Sequence, residues 1–532
     1  MSMRPNYSLP SVMVNVALRS PSFRSAPPVV NLTKAFSTPF KNVVATARTC
    51  YSAGGIVRDE DIHDRFEPLA RSIYDAGHHT TYQHAHFQFA LANVSRQFIW
   101  SFLHAHPFYN SEQVSQRYVP VKPGTYFIPA LSGEALAVYE AAIAHQFDAY
   151  RMLTERLQPV VAAEYRKLFS KHDPQHPKVR RRIEKRAMEV ARYVLPVATF
   201  AYLYHTVSGI TLLRYWRLCE QYDAPEETRA VVGAMVAALL AHDPLYQTVL
   251  EEPLPLEATL EFNFAGWGAS DGQRQIFRQE FDASLGGRIS RLVDWKPQNE
   301  ALLAAAVREV LGLPAAALSD DDAVALVLDP ARNRLLGEKL NLTTHAKLTR
   351  ALVHPHYTFR KKLSHTADSQ DQRHRMTPAS RPLLVGHLDT EPDYETPALI
   401  YLDERLERLY RETMARTWEA IGRLKVLGVS AVDAAYLLPN AVSIRFTESS
   451  DLLNLHHKHR MRLCYLAQEE IWRASVEEAQ QIREVNPRIG RWLLPPCSQR
   501  AAAGVRPICP EGERFCGVRV WKLDLTAYRR TF

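Results

Sequence analysis

"SEQVSQRYV", residues 111–119, directly follows the fairly apolar stretch "FIWSFLHAHPFYN" (98–110). Ser115, Gln116, Arg117 and Tyr118 place four hydrogen-bonding side chains in a row. An arginine fork holds a phosphate or carboxylate through two charge-assisted bonds, and a neighbouring serine hydroxyl adds a third. A surface turn with solvated side chains would carry the same residue types. The rest of the chain decides between these readings.

At 532 residues the chain is too long for one ordinary domain. A hydrophobic fraction of 46% with 23% charged residues is globular and supplies real cores. The formal charge of +8 is spread along the sequence and suits a protein that handles anionic ligands such as nucleotides and flavin phosphates. The densest basic run, "KVRRRIEKR" (178–186), reads as one solvated helix face, so nucleic acid is not an expected partner. No apolar run has the length of a membrane span. The N-terminal "MSMRPNYSLPSVMVNVALRSPSF" (1–23) lacks a long apolar segment with a cleavage site, so no signal peptide is expected. Six scattered cysteines in a chain this long fit a reducing cytoplasm.

Helical periodicity dominates. Helices are expected over 65–77, closed by Gly77, over 134–169 with a break at its proline, and over 225–243 behind Pro225. Residues 84–98 alternate and then turn polar, which predicts a strand leading into a helix. The softest segment, 270–288, reads as a boundary. Across it the sequence repeats. "ARYVLP" (191–196) returns as "AAYLLP" (434–439), each followed by a helical pattern of similar length. "HTTYQHAHF" (79–87) has a weaker counterpart in "LTTHAKLTRA" (342–351), and "SQRYV" corresponds in position to "QRHRMT" (372–377). The expected organisation is two diverged copies of one domain, over 1–270 and 271–490, with a cysteine-containing tail over 491–532.

These motifs resemble the flavin-dependent thymidylate synthases. That family carries a Gly-His…Glu-His segment, a Val-Ser-Arg, then Arg-His-Arg, Ser, Asn-Glu and Ser-x-Arg-Tyr. Here "GHHTTYQHAHF" (77–87) has Gln83 in place of the acid, and "NVSRQFIWSFLHAH" (93–106) has "HAH" in place of Arg-His-Arg. "YNSEQVSQRYV" (109–119) keeps Ser115, Gln116, Arg117 and Tyr118 with one extra residue before them. "ARYVLP" includes Arg192, and "MRLCYLAQEEIW" (461–472) matches the family's late helix with Arg462 and Gln468 in register. The likeness covers most of 30–245 and, more weakly, 290–485. It implies a helix-rich α+β fold of two tandem thymidylate synthase-like domains. It also implies FAD-dependent methylation of C5 of deoxyuridine monophosphate, with methylenetetrahydrofolate and a reduced nicotinamide. Two such chains would form a homodimer in place of the family's tetramer.

Carried over residue by residue, the resemblance assigns Ser115, Gln116, Arg117, Tyr118, Arg192 and Arg462 to the nucleotide. Ser115, Arg192 and Arg462 serve the chemistry. It assigns His78, Thr80, His104, His106 and Glu112 of the first copy, and His365, Ser369 and Arg375 of the second, to the flavin. Ser364-His365-Thr366 is read as standing where Arg-His-Arg would be. Cys219 holds the first copy's late-helix arginine position, and Ala435 holds that of Arg192 in the second. The losses look complementary, which favours a site drawn from both copies. Two other readings stay open: a non-catalytic flavin- or nucleotide-binding paralogue, and a C5-modifying enzyme for another uridine nucleotide.

Two further clusters stand out. Cys464, Cys497, Cys509 and Cys516 fall near the C-terminus among Pro and Gly, which suits a zinc ion or an iron–sulfur cluster, or else reduced cysteines in a loop-rich tail. "HHKH" (456–459) lacks neighbouring carboxylates and reads as an exposed or ligand-facing helix surface. "SHTADSQDQRHRMTPASRP" (364–382) is too polar for a core and reads as a flavin or phosphate pocket, or as a solvated loop.

Overall fold

The computed structural model describes residues 22–530, apart from 64–65, 221–222 and 266–269. The stretch read for a leader therefore lies almost wholly outside the described residues. Two four-stranded antiparallel sheets have the same strand order, β1-β2-β4-β3 and β5-β6-β8-β7. The first uses β1 (Val29–Lys34), β2 (His86–Ser95), β3 (Asn110–Gln113) and β4 (Phe200–Ser208); the second uses β5 (Ser290–Trp295), β6 (His356–Ser364), β7 (Ala379–Ser380) and β8 (Ser443–Asp451). Alternate residues of β2 and β6 are buried, as a half-covered sheet requires. The fold is α+β, in two tandem copies.

Each central strand ends in a serine that starts a helix. Ser95 and Ser364 accept from the backbone N–H of Phe98 and Ala367 at 3.0 and 3.1 Å, the geometry of an N-cap. These serines fix the register between the copies. One local difference precedes them: β2 carries a bulge between Leu91 and Val94 with Asn93 at φ 55°, while β6 pairs without a break.

The copies meet about a pseudo-twofold axis through the two repeated hexapeptides. Val197 and Ala198 N–H donate to Leu438 and Tyr436 carbonyls at 2.8 and 3.1 Å, and Asn440 and Ala441 N–H donate to Leu195 and Tyr193 carbonyls at 2.7 and 2.9 Å. Pro196 pairs with Pro439. Beneath this crossing, Glu227 accepts from Ser95 and from Tyr436 of the other copy, while Glu470 accepts from Ser364 and from Tyr193. Helices Gly133–Leu168 and Glu404–Val426 pack side by side, and a single apolar core runs through both copies here. Each copy keeps a second core of its own.

Most expected elements are present: helices Glu67–Asp75 and Pro225–His242, and β2 running into a short helix. One expectation fails, and one segment has more structure than its composition suggests. The helix Gly133–Leu168 continues through Pro159, because Leu157 and Val161 on either side are buried and packing outweighs one lost hydrogen bond. The segment 270–288, between the first copy and β5, is mostly helix Asp271–Leu285, opened by a capping box between Ser270 and Gln273.

Candidate active site

An open cleft of about 440 Å³ lies between the copies. β3 and the loop before it supply His104, Tyr109, Asn110, Ser111 and Glu112; the second copy supplies Arg373 and Arg375. Arg373 Nη2 donates to both Glu112 oxygens at 2.8 Å. Arg375 donates to Asn110 Oδ1 at 3.2 Å and stands over the Tyr109 ring at 5.1 Å. Tyr109 in turn stacks on His104, centroids 4.6 Å apart. His104 Nε2, Tyr109 Oη and Ser111 Oγ are buried atoms of this lining without hydrogen-bond partners. Burial, then the neighbouring His205 and Arg373, hold His104 neutral, well below the usual histidine range.

The register set by Ser95 and Ser364 corrects the sequence reading. Seven residues separate "VSR" from "HAH", and seven separate "LSH" from "RHR". The second copy therefore keeps the family's Arg-His-Arg intact as Arg373, His374 and Arg375, opposite His104, Ala105 and His106 of the first. Ser364-His365-Thr366 stands instead at the strand-to-helix turn. His365 is buried beneath the Trp100 ring, pushed down to about 3 by burial and Arg96, and is not part of the cleft. Ser369 bonds its own helix at the His365 carbonyl. His106 turns inward to Tyr215 Oη at 2.7 Å. His78 and Thr80 are exposed and do not line the cleft.

The segment around Arg-His-Arg is not too polar for a core. Asp368 and Asp371 are buried. Asp371 belongs to an ion network with Lys361, Glu448, Lys458 and Glu478, all buried. The "HHKH" helix (Leu452–Arg462) feeds that network rather than an exposed surface: His459 bonds Glu478 at 2.9 Å, and Lys458 bonds Glu448. The carboxylates missing from the local sequence come from β8 and two other helices.

Next to the cleft lies a group of arginines. Arg462 Nε donates to His374 Nε2 at 2.7 Å and its Nη2 to the Gln370 carbonyl at 2.8 Å. Arg117 pairs with Glu189 at 2.9 Å and donates to the Leu466 carbonyl at 3.0 Å, so the "SQRYV" loop reaches the second copy. Arg192 is buried, bonds the Glu189 carbonyl oxygen at 3.2 Å and leaves Nη2 buried without a partner. Gln116 is held by Asn440 of the other copy at 3.2 Å. Ser115 Oγ accepts from Arg117 N–H at 3.3 Å, which leaves its own proton to donate. Tyr118 is half exposed between Arg117 and Lys185. Cys219 is fully buried, and its thiol is pushed up to about 12 by burial.

The four C-terminal cysteines do converge, lining one small cavity of about 20 Å³ with Pro495, Pro496 and Val518. Among the described residues, however, no group of three or more His, Cys, Asp or Glu is arranged to hold a metal ion. The expectation of a metal at Cys464, Cys497, Cys509 and Cys516 is therefore not supported. Burial pushes Cys464 up to about 11 and Cys497 to about 12, which favours neutral thiols packed as small apolar groups. All four are free of disulfides.

Known proteins similar to this chain fall in one family. One relative, a flavin-dependent thymidylate synthase of Clostridium tetani, is 26% identical over 193 residues, 35% of this chain and 72% of the relative. Another, from Sulfurisphaera tokodaii, is 28% identical over 152 residues, 27% of this chain and 57% of the relative. A solved UMP/dUMP methylase, PolB of Streptomyces cacaoi bound with 5-Br UMP, is 21% identical with a TM-score of 0.30, covering 44% of this chain and all of that one. The family model described as thymidylate synthase complementing protein matches residues 31–245 and again 291–488. The chain belongs to this family, that of the flavin-dependent thymidylate synthases, and carries its domain twice.

Proposed function

We propose that this chain is an FAD-dependent enzyme that methylates C5 of deoxyuridine monophosphate, with methylenetetrahydrofolate as carbon donor and a reduced nicotinamide as reductant, at a site shared by its two copies. One observation carries the reading. The family's signature is split, with Arg-His-Arg in the second copy and Ser-Gln-Arg-Tyr in the first, and the fold reunites the halves across one seam.

The cleft residues fit a flavin. Arg373 and Arg375 offer guanidiniums to a diphosphate, the Tyr109 and His104 rings offer planar faces, and three buried lining atoms lack partners. When bound, the flavin supplies the redox and one-carbon chemistry. The chain's own groups bind and orient. Arg117 and Arg192 hold the nucleotide phosphate, assisted by the Ser115 hydroxyl. Arg462, oriented by His374 and the Gln370 carbonyl, stabilises the negative charge that develops at a uracil carbonyl as C5 becomes nucleophilic. Two chains assemble as a dimer in a reducing cytoplasm.

The test is flavin content and turnover. Purified protein, after incubation with FAD, should retain flavin and convert deoxyuridine monophosphate to thymidine monophosphate when folate and reductant are supplied. Protein that retains no flavin and forms no product would sink the reading. Light scattering that shows a monomer with full turnover would remove the dimer.

A further inference from the structure

The cleft has one lining ring that water still reaches. Along β4, Ala201, Leu203 and His205 are buried, while Tyr202 and Tyr204 on the outer face are 59% and 56% exposed. Tyr204 lines the cleft and Tyr202 does not. The other two rings of the lining, His104 and Tyr109, are buried and stacked on each other. In the sheet Tyr204 pairs with Ala90 of β2 on one side and Glu112 of β3 on the other, and paired residues share a face. Ala90 is too small to cover the ring. Glu112 holds the Arg373 guanidinium at 2.8 Å. The exposed ring therefore stands one strand away from the group offered to a diphosphate.

The second copy closes the matching position. Thr447 pairs with Arg360 and Ser380 as Tyr204 pairs with Ala90 and Glu112, so the ring, its small neighbour and the acid are all replaced. Arg360 Nη1 donates to Ser284 Oγ at 2.9 Å, and its guanidinium stands over the Phe281 ring at 5.4 Å. Both residues belong to the helix Asp271–Leu285, which joins the copies. Asp282 of that helix bonds Lys362 and Arg445 at 3.0 and 2.8 Å. Arg445 is buried where its counterpart Tyr202 is exposed. The linker helix thus lies across the outer face of the second sheet, while Tyr202 and Tyr204 leave the same face of the first open. A half-exposed ring on that face gains when another planar ring covers it, through area removed from water and offset stacking.

We infer that Tyr204 is the platform on which a planar ring of the flavin dinucleotide stacks, so that the dinucleotide lies on the outer face of the first copy's sheet and each chain takes one. The inference rests on the flavin reading of the cleft.

Calorimetric titration of the full-length protein tests it, with FAD, FMN and ADP as probes. Tyr204→Ala removes the ring, Tyr204→Phe keeps it, and Tyr202→Ala removes an equally exposed ring outside the cleft; melting curves check that all three fold. Wild type should bind one FAD per chain. Losing one stacked ring predicts roughly five- to hundredfold weaker FAD affinity for Tyr204→Ala, near wild-type affinity for Tyr204→Phe and no change for Tyr202→Ala. A Tyr204→Ala loss shared by ADP but not FMN supports the inference with adenine as the stacked ring, and the converse supports it with the flavin ring. Tyr204→Ala that binds FAD as tightly as wild type overturns the inference and leaves the flavin reading standing. Two FAD per chain, or an equal loss in Tyr202→Ala, does the same. Wild type that binds no FAD overturns both.

Discussion

Equivalent interiors of the two copies are built from opposite materials. Beneath the first sheet, Leu91, Phe102, His205, Tyr215 and Met235 are buried; the matching positions of the second hold Lys361, Asp371, Glu448, Lys458 and Glu478, also buried. The strand register and the serine caps make these pairs equivalent. One backbone therefore tolerates either an aromatic core or a closed ion network. The network balances its own charge. Lys361 and Lys458 hold Asp371 and Glu478 below the usual carboxylate range against the pull of burial, whereas burial and Asp371 push Glu448 up. The copy with the network is also the copy with the intact Arg-His-Arg. His374 N–H donates to the Asp371 carbonyl at 3.0 Å, so the turn that presents the motif is tied to a residue of the network.

The largest effect expected from this contrast is on stability. Lys458→Met leaves Asp371 and Glu448 buried with half their compensation, and breaking a buried pair costs about 3–5 kcal/mol. Tyr215→Phe, at the matching position of the first copy, removes one hydroxyl that meets His106 and His205 and costs about 1 kcal/mol. Adding Asp371→Asn to Lys458→Met should recover part of the loss, since the two share a salt bridge at 2.7 Å. Urea unfolding measures all three. If Lys458→Met costs no more than Tyr215→Phe, the network is not a structural counterpart of the aromatic core.

A smaller effect separates the copies at the cleft. Arg373 is charged and His104, its counterpart, is held neutral by burial. Arg373→Ala should therefore weaken FAD binding roughly ten- to hundredfold, the scale of a lost charged hydrogen bond, and His104→Ala by less. Fluorescence titration with FAD decides. Equal losses in the two variants would mean that the cleft does not distinguish the two versions of the motif.

The repeat was legible because "ARYVLP" and "AAYLLP" sit at the axis, where each copy's backbone pairs with the other and neither can drift far. The strand-to-helix turn after β2 was legible from alternation that ends at a serine. Arg-His-Arg in the second copy was not legible from "SQRYV", which lies past the extra residue of the first copy, because the register between the copies is held by Ser95 and Ser364. Arg373 stands nine positions after Ser364, as His104 stands nine after Ser95. The burial of Asp368, Asp371 and Lys458 was not legible, since their partners come from distant parts of the chain. Trp100 donates to Asp368 at 2.7 Å across the seam, and Glu448 and Glu478 reach Lys361 and Lys458 from other elements.

A last contrast concerns a buried acid that the copies share. Glu227 and Glu470 occupy matching positions, and each accepts from a capping serine and from the other copy's tyrosine. Burial raises Glu227 to about 7, against about 4.3 for an unperturbed glutamate. Below the lower value both folded and unfolded states are protonated. Between the two values the folded state keeps a proton that the unfolded state has lost, so this contribution to stability declines as pH rises and is gone above about 7. Glu227→Gln has no proton to lose and can still accept from Ser95 N–H. Relative to wild type it should gain roughly 3–4 kcal/mol between pH 4 and pH 8. Glu470→Gln should gain with the same sign and on the same scale, since Glu470 is also raised to about 7, there by burial and by the like charge of Glu395. Denaturant midpoints across the pH range measure both slopes. A gain for one variant and a loss for the other would show that the two glutamates, though matched in position, are not held in the same protonation state.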